Sequence, residues 1–299
     1  MGRLSAAAWV LNLDAEDELA RGGAHTPTAV MAARVEALLP RLAALISPGD
    51  QVIWPGNRRV NGELTGRAWC PTRFALEQMQ RAGVKVPRTP SLEVLRRVTH
   101  RRFAHQLGGA VPGAAFIANE NELDALLAHK PAASVEGAWI LKRPLSYAGR
   151  GRKKMTNGLE MDRAWIQASL RTGDGLQLEP WVERVLDCAL HGFIEEDGRC
   201  TLGQPTVQEL DAGGAWSSTR IASPETLLED EAHELISAGS QSAVALHAAG
   251  YFGPFGIDAF RWRDPDGELH FHPRYKINAR YSMGWAIGMG GFEVPAGAW

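Results

Sequence analysis

Cysteine is scarce: Cys70, Cys188 and Cys200 are the only three in 299 residues, and no two stand at CxxC spacing. That excludes a disulfide framework and a zinc clip, and it points to a reducing compartment. A basic surplus is missing too. The 32 Lys+Arg residues face 34 Asp+Glu, a net charge of -2, which leaves no electrostatic footprint for nucleic acid. Long hydrophobic runs are also absent. The uncharged stretch 235–257 holds Ser237, Ser240, Gln241, Ser242, His247 and Pro254, far too polar for a bilayer core. The apolar run 6–11 is cut by Asn12 and Asp14, shorter than an export segment. A soluble cytoplasmic protein is expected, without membrane or nucleic-acid partners. Lysine is rare, six of the 32 basic residues, so each lysine near a motif carries information.

What is present is ordinary globular composition, 45% hydrophobic and 22% charged, in a length that suits two or three packed subdomains. Residues 8–13 read as a first strand ending in an acidic loop. Residues 28–46 have helical spacing that Pro40 kinks or divides. A turn at 47–50 leads to a second strand, QVIWP, and a helix over 72–82 stops at Gly83. Strand, helix, strand is the start of an α/β layer. Pro87 and Pro90 mark a boundary near residue 92.

A basic helix is expected over 92–107, a strand at AAFIA, a second helix over 119–129 and a strand at 138–143. A third helix spans 161–171. Strands follow at 176–182, 187–194 and 199–204, then a helix from Pro224 to about Ala249. The strands 253–263 and 268–280 flank the turn Asp264-Pro265-Asp266-Gly267. No internal repeat is visible.

Three constellations could carry chemistry. The strand ending at Lys142 runs into a loop with Ser146, Gly149, Gly151, Arg152 and Lys153. Glycine lets backbone N–H groups point inward and the cations offset phosphate charge, although a basic hairpin turn would look the same. It is neither a Walker loop nor GxGxxG. Next, Glu179-Pro180-Trp181-Val182, with Glu183 and Asp187 beyond, could hold a base through main-chain groups and a ribose through a carboxylate, or be a solvated strand edge. In the late hairpin, alternation puts His270, His272, Arg274, Lys276, Asn278 and Arg280 on one face. Asp258 and Asn278 could share a hard cation such as Mg²⁺. A regular turn with Asp264 opposite Gly267 would set Asp258 against Pro273, five residues from Asn278, so the pairing requires a bulge near Pro273. The alternative is an exposed basic strand face. His270 and His272 form an HxH pair without an obvious third ligand for zinc.

The order WILKRPLSYAGRG, LQLEPWVERVLD, GYFGPFGIDAF and HPRYKINARYSMG resembles the ATP-grasp superfamily, and the N-terminal part resembles its preATP-grasp domain. The resemblance implies a mixed α/β (α+β) chain of ATP-grasp fold. A preATP-grasp-like α/β domain over 1–92 would precede a lid and central subdomain over 93–178 and a C-terminal subdomain with the metal-site strands over 179–299. It implies ATP and Mg²⁺ as cofactors and an ATP-dependent ligase that joins a small-molecule carboxylate to an amine through an acyl phosphate. It leaves room for a homodimer. By resemblance Lys142 contacts the α-phosphate and adenine side, and Ser146, Gly149 and Gly151 belong to the loop over the β- and γ-phosphates. Arg101 takes the place of an earlier phosphate-binding lysine. Glu179 and Val182 hold adenine by backbone groups, with Asp187 (or Glu183) at the ribose. Asp258 and Asn278 are the metal ligands, and Arg280 faces the transferred phosphoryl group or the acyl phosphate. Arg220 is the expected contact for a substrate carboxylate.

One departure stands out. Where the family has a metal-bridging glutamate this chain has Lys276, a cation that repels metal ions. Lys276 could neutralise phosphate in place of one ion, a nearby acid such as Glu209 could take the metal role, or catalysis could be lost. The last leaves a non-catalytic nucleotide-binding homologue as the alternative to a ligase. A small-molecule kinase on the same fold is a further one.

Overall fold

The computed structural model describes residues 6–22, 25–56, 60, 62, 64–147, 149–155, 162–210, 216–295 and 297–299. Ala148 of the Gly-rich loop and Met161, the expected start of a helix, lie outside them. The N-terminal part comprises β1 (Ala7–Val10), α1 (Ala15–Arg21), α2 (Ala29–Leu38), β2 (Gln51–Val52), β3 (Thr65–Ala68) and α3 (Arg73–Arg81). Its three strands form a parallel sheet in the order β2-β1-β3. The central strand β1 is buried throughout, and alternation sends its side chains into two different cores. Trp9 packs edge-on against Tyr281 at 5.1 Å, while Ala8 and Val10 meet Ala75 and Met79. Pro40 divides the expected helix, leaving α2 and a 3-10 turn, Leu39–Leu42. The expected acidic loop is instead the first turn of α1, where Glu16, Asp17 and Glu18 sit at the positive end of the helix dipole.

The second group is α4 (Leu92–Thr99), α5 (Arg101–Gln106), β4 (Ala115–Ile117), α6 (Glu120–Leu127), β5 (Trp139–Lys142), β6 (Arg152–Met155), α7 (Arg163–Leu170) and β7 (Leu176–Pro180). The strands form an antiparallel sheet ordered β4-β7-β5-β6. The single basic helix expected over 92–107 is broken. His100 is extended (φ -63°, ψ 128°), and its ring accepts the Arg102 N–H at 3.1 Å as the cap of α5. The break turns Arg101 toward β5, where its N–H donates to the Pro144 carbonyl at 3.1 Å.

The third group is β8 (Glu183–Ile194), β9 (Cys200–Leu202), β10 (Thr206–Leu210), β11 (Trp216–Ile221), α8 (Glu229–Ala248), β12 (Gly253–Arg263), β13 (Leu269–Asn278) and α9 (Trp285–Met289). Its sheet runs β11-β10-β8-β12-β13, with β9 paired to β8. The long helix begins at Glu229 rather than Pro224, because the Glu231 carboxylate accepts the Leu228 N–H at 3.0 Å and fixes the start there. It lies against β8 so closely that a Cβ on Gly239 would stand 2.5 Å from Leu190. No helix among the described residues is long and apolar enough to cross a membrane.

The β12–β13 hairpin sets the site. Arg263 pairs with Leu269, so the turn is one residue longer than expected, and Phe260 pairs with His272. The register then shifts by two, so that Asp258 faces Lys276 where a regular ladder would present Arg274. The bulge lies where the sequence required one, at Pro273 to Tyr275.

Candidate active site

A cleft of about 710 Å³ runs between the three sheets, a size ordinary for small-molecule sites. Arg101, Lys142, Ser146, Gly149, Glu179, Val182, Asp187, Asp258, Lys276, Asn278 and Arg280 all line it. At one end Lys142 and Glu179, on the same face of the paired strands β5 and β7, form a buried ion pair. Burial brings Lys142 down to about 8 against the pull of Glu179. Burial would raise Glu179, but the Lys142 ammonium overrides it and holds the carboxyl below its ordinary range. Arg101 faces the same space, and its buried Nε and Nη1 have no hydrogen-bond partner among the described residues.

Beyond Glu179 the chain crosses to β8 through Trp181 and Val182. The Trp181 N–H donates to Ala138 at 2.8 Å and its carbonyl accepts from Ser134 Oγ at 2.6 Å. Val182 makes no such main-chain bond among the described residues, which leaves its peptide groups for a ligand. Asp187 is held at 2.8 Å by Arg184, whose guanidinium stacks on Phe260 and Tyr275 at 4.0 and 4.4 Å. On the Gly-rich loop, Gly151 does not reach the cleft. Its φ of +64° and the Ser146 Cβ only 3.1 Å from where its own Cβ would stand make it the residue that closes the turn.

Opposite, Asp258 accepts from Asn278 Nδ2 at 2.9 Å and from Gln208 Nε2 at 3.4 Å. Both amides donate through nitrogen, so their carbonyl oxygens are not engaged by the described residues. One carboxylate and two amide oxygens are a hard oxygen set that fits Mg²⁺. The strand face that could have been exposed is buried: His272, Arg274, Lys276, Asn278 and Arg280 are each at most 8% accessible. Burial leaves His191 and His272 neutral, with pKa values drawn down to about 4. His272 therefore packs against Phe260 and Tyr275, and only His270 of the HxH pair meets acids, Asp264 and Glu268, at the exposed turn.

Lys276 donates to the Ser146 carbonyl at 3.3 Å. The acid beside it is not Glu209, which is half exposed on β10 and accepts from Ser218 Oγ at 2.5 Å. It is Glu16 of α1, 3.9 Å from the Lys276 ammonium and gripped by Arg280 through Nε at 3.0 Å and Nη2 at 2.6 Å. Burial would raise Glu16, yet Arg280 and Lys276 hold it below its usual range. Burial lowers Lys276 to about 8, with Glu16 opposing. Arg280 also lies 5.3 Å from the centre of the Trp69 ring. Arg220 is turned away: Thr219 lines the cleft, and strand alternation sends Arg220 to the far side, 3.8 Å from Glu209 and 3.3 Å from Thr226. Glu16, Gln208, Trp69 and Arg34 escaped sequence reasoning. Glu16 lies in an acidic run at a helix start, Asp14 to Glu18, so nothing in the sequence singles it out from its neighbours.

No protein-family model matches the sequence, and no curated protein matches it in sequence. Solved structures do resemble it. D-alanyl-alanine synthetase A from Vibrio cholerae superposes with a TM-score of 0.54 at 13% identity, over 96% of this chain and 92% of that one. A D-cycloserine synthetase gives 0.52 at 16%, over 95% and 97%. An N5-carboxyaminoimidazole synthetase from Staphylococcus aureus, complexed with ADP, gives 0.53 at 11%, over 93% and 71%. Likeness at these identities shows the fold alone: a mixed α/β chain of ATP-grasp fold, shared with these three synthetases.

Proposed function

We propose that the protein is an ATP-dependent ligase joining a small-molecule carboxylate to an amine. The observation that carries the reading is the β13 bulge, which brings Asp258, Lys276, Asn278 and Arg280 to one cleft with Lys142, Arg101 and the Glu179–Val182 crossing. Adenine would lie against Val182 and the ribose near Asp187. The phosphates would run beneath Ser146 and Gly149 toward Arg101 and Lys142. Asp258, Asn278 and Gln208 would hold Mg²⁺, which neutralises charge on the phosphates when bound. A substrate carboxylate oxygen then attacks the γ-phosphorus and ADP departs. The amine nitrogen attacks the resulting acyl phosphate at carbon and expels inorganic phosphate. For such chemistry the chain need supply positioning and fixed positive charge, here Arg280 and Lys276, rather than a nucleophile.

The three-sheet order supports a division into 1–92, 93–178 and 179–299, with the substrates between the first and last. Three free cysteines fit a reducing cytoplasm. Calorimetric titration of ATP with Mg²⁺ and with chelator tests the reading. Binding that requires Mg²⁺, followed by phosphate release with a carboxylate and an amine, is expected. Nucleotide binding indifferent to Mg²⁺, without release, would indicate a non-catalytic relative. Lys276→Glu is expected to lower turnover, because it sets a second carboxylate beside Glu16. A gain would instead mark a decayed metal site.

A further inference from the structure

The part of the cleft lined by the N-terminal group carries side chains that phosphate chemistry leaves idle. Arg34 on α2 lines the cleft with Leu13, Met31 and Leu38 of the N-terminal part and with Trp216 and Met283 of the C-terminal part. Arg34 is half-buried and makes no hydrogen bond or ion pair among the described residues. No acid among the described residues that line the cleft is free to serve it. Glu179 is held by Lys142, Asp187 by Arg184, and Asp258 by Asn278 and Gln208. A half-buried guanidinium without a counter-charge among the described residues is a place for an anion, best a planar one that takes two parallel N–H bonds.

A second observation points the same way. Besides Arg101 and His191, two more side chains lining the cleft carry buried polar atoms with no partner among the described residues, the Trp69 indole N–H and Ser282 Oγ. Both stand beside Arg280: its guanidinium lies over the Trp69 ring, and Ser282 follows it by two residues. Buried donors left unpaired are costly, and a ligand that accepts from them relieves the cost. The Trp216 N–H is already used on Thr219 Oγ1 at 2.8 Å.

We propose that this part of the cleft is the substrate subsite, and that it selects an apolar molecule through a carboxylate remote from the reacting group, held by Arg34. The proposal rests on the ligase reading above. The remote carboxylate has two sources, an apolar amino acid acting as the amine or an aliphatic dicarboxylic acid acting as the acyl donor.

The test uses the full chain with ATP and Mg²⁺. Nucleotide binding is measured first, and then melting shifts and phosphate release with defined probes. These are leucine and phenylalanine against their primary amides, and adipate and suberate against hexanoate. Acids are expected to act at least about tenfold better than their neutral or monoacid counterparts in one of the two series, which identifies the source. Arg34→Gln should raise KM for those acids about 10- to 100-fold, the range of a hydrogen bond to a charged group. It should leave kcat within about twofold, on that same arithmetic, and leave ATP affinity and melting temperature unchanged. Arg34→Lys should fall between. If neither series discriminates, or Arg34→Gln leaves KM unmoved, the subsite assignment is wrong while the ligase reading stands. If ATP itself does not bind, the ligase reading falls and the subsite with it. A lowered melting temperature that Arg34→Lys does not restore would make Arg34 a structural residue and overturn the proposal.

Discussion

Asp258 is the one carboxylate of the hairpin that lines the cleft, and its two partners are neutral amides. Asp258→Asn keeps the shape and removes the charge. Turnover should fall by about 10²- to 10³-fold, the scale of losing one preorganised electrostatic group. The difference between ATP binding with Mg²⁺ and with chelator should shrink to nothing, and an undiminished difference would move the metal elsewhere. Lys142 answers a different question. Lys142→Met strands the Glu179 carboxylate in a buried site, which costs about 3–5 kcal/mol. Urea melts should show that loss and show most of it recovered in Lys142→Met with Glu179→Leu. A double variant as unstable as the single one would mean that packing, not charge, holds β5 to β7.

At the scale of elements, two interruptions make the cleft. The break at His100 separates α4 from α5 and delivers Arg101, whose Nε and Nη1 groups have no partner among the described residues and so cost stability. Arg101→Met should therefore weaken ATP binding by about tenfold or more without lowering the melting temperature. A variant that loses stability but binds ATP normally would remove Arg101 from the phosphate site. The bulge in β13 is the second interruption, and Pro273 marks it in the sequence because proline cannot donate to a ladder. His100 carried no comparable mark. Its capping role depends on a side-chain conformation in the folded chain, so the 92–107 pattern read as one helix.

For the whole molecule, the contact that ties the ends together is Glu16 with Arg280, separated by 264 positions in the sequence. Glu16→Gln would leave Arg280 and Lys276 buried without a counter-charge. A loss of about 3–5 kcal/mol is expected in denaturant melts, with part of it restored by adding Arg280→Met. Acid should loosen the fold for a separate reason. His191 and His272 titrate near 4 in the folded chain against an ordinary 6.5, so the unfolded chain binds more protons between those values. Stability should be full above about pH 6.5 and fall toward pH 4, by up to about 1.4 kcal/mol per pH unit for each histidine. Melts at pH 7, 5.5 and 4.5 measure the slope, and His272→Phe should reduce it by about half.

The mixed α/β class, most strands and helices, and the order of Lys142, Glu179, Asp258 and Asn278 along the chain can be read from the residues alone. Period-two and helical spacing, turn residues and the need for a bulge are local properties, so they are legible without coordinates. Packing settles the rest: which acid answers Lys276, that Arg220 faces away while Arg34 lines the cleft, and that the basic face of β13 is buried. Those outcomes depend on which surfaces meet when the N-terminal sheet closes on the C-terminal one. A charge pair between residues 16 and 280 has no spacing to read, because its geometry comes from packing rather than from the chain between them.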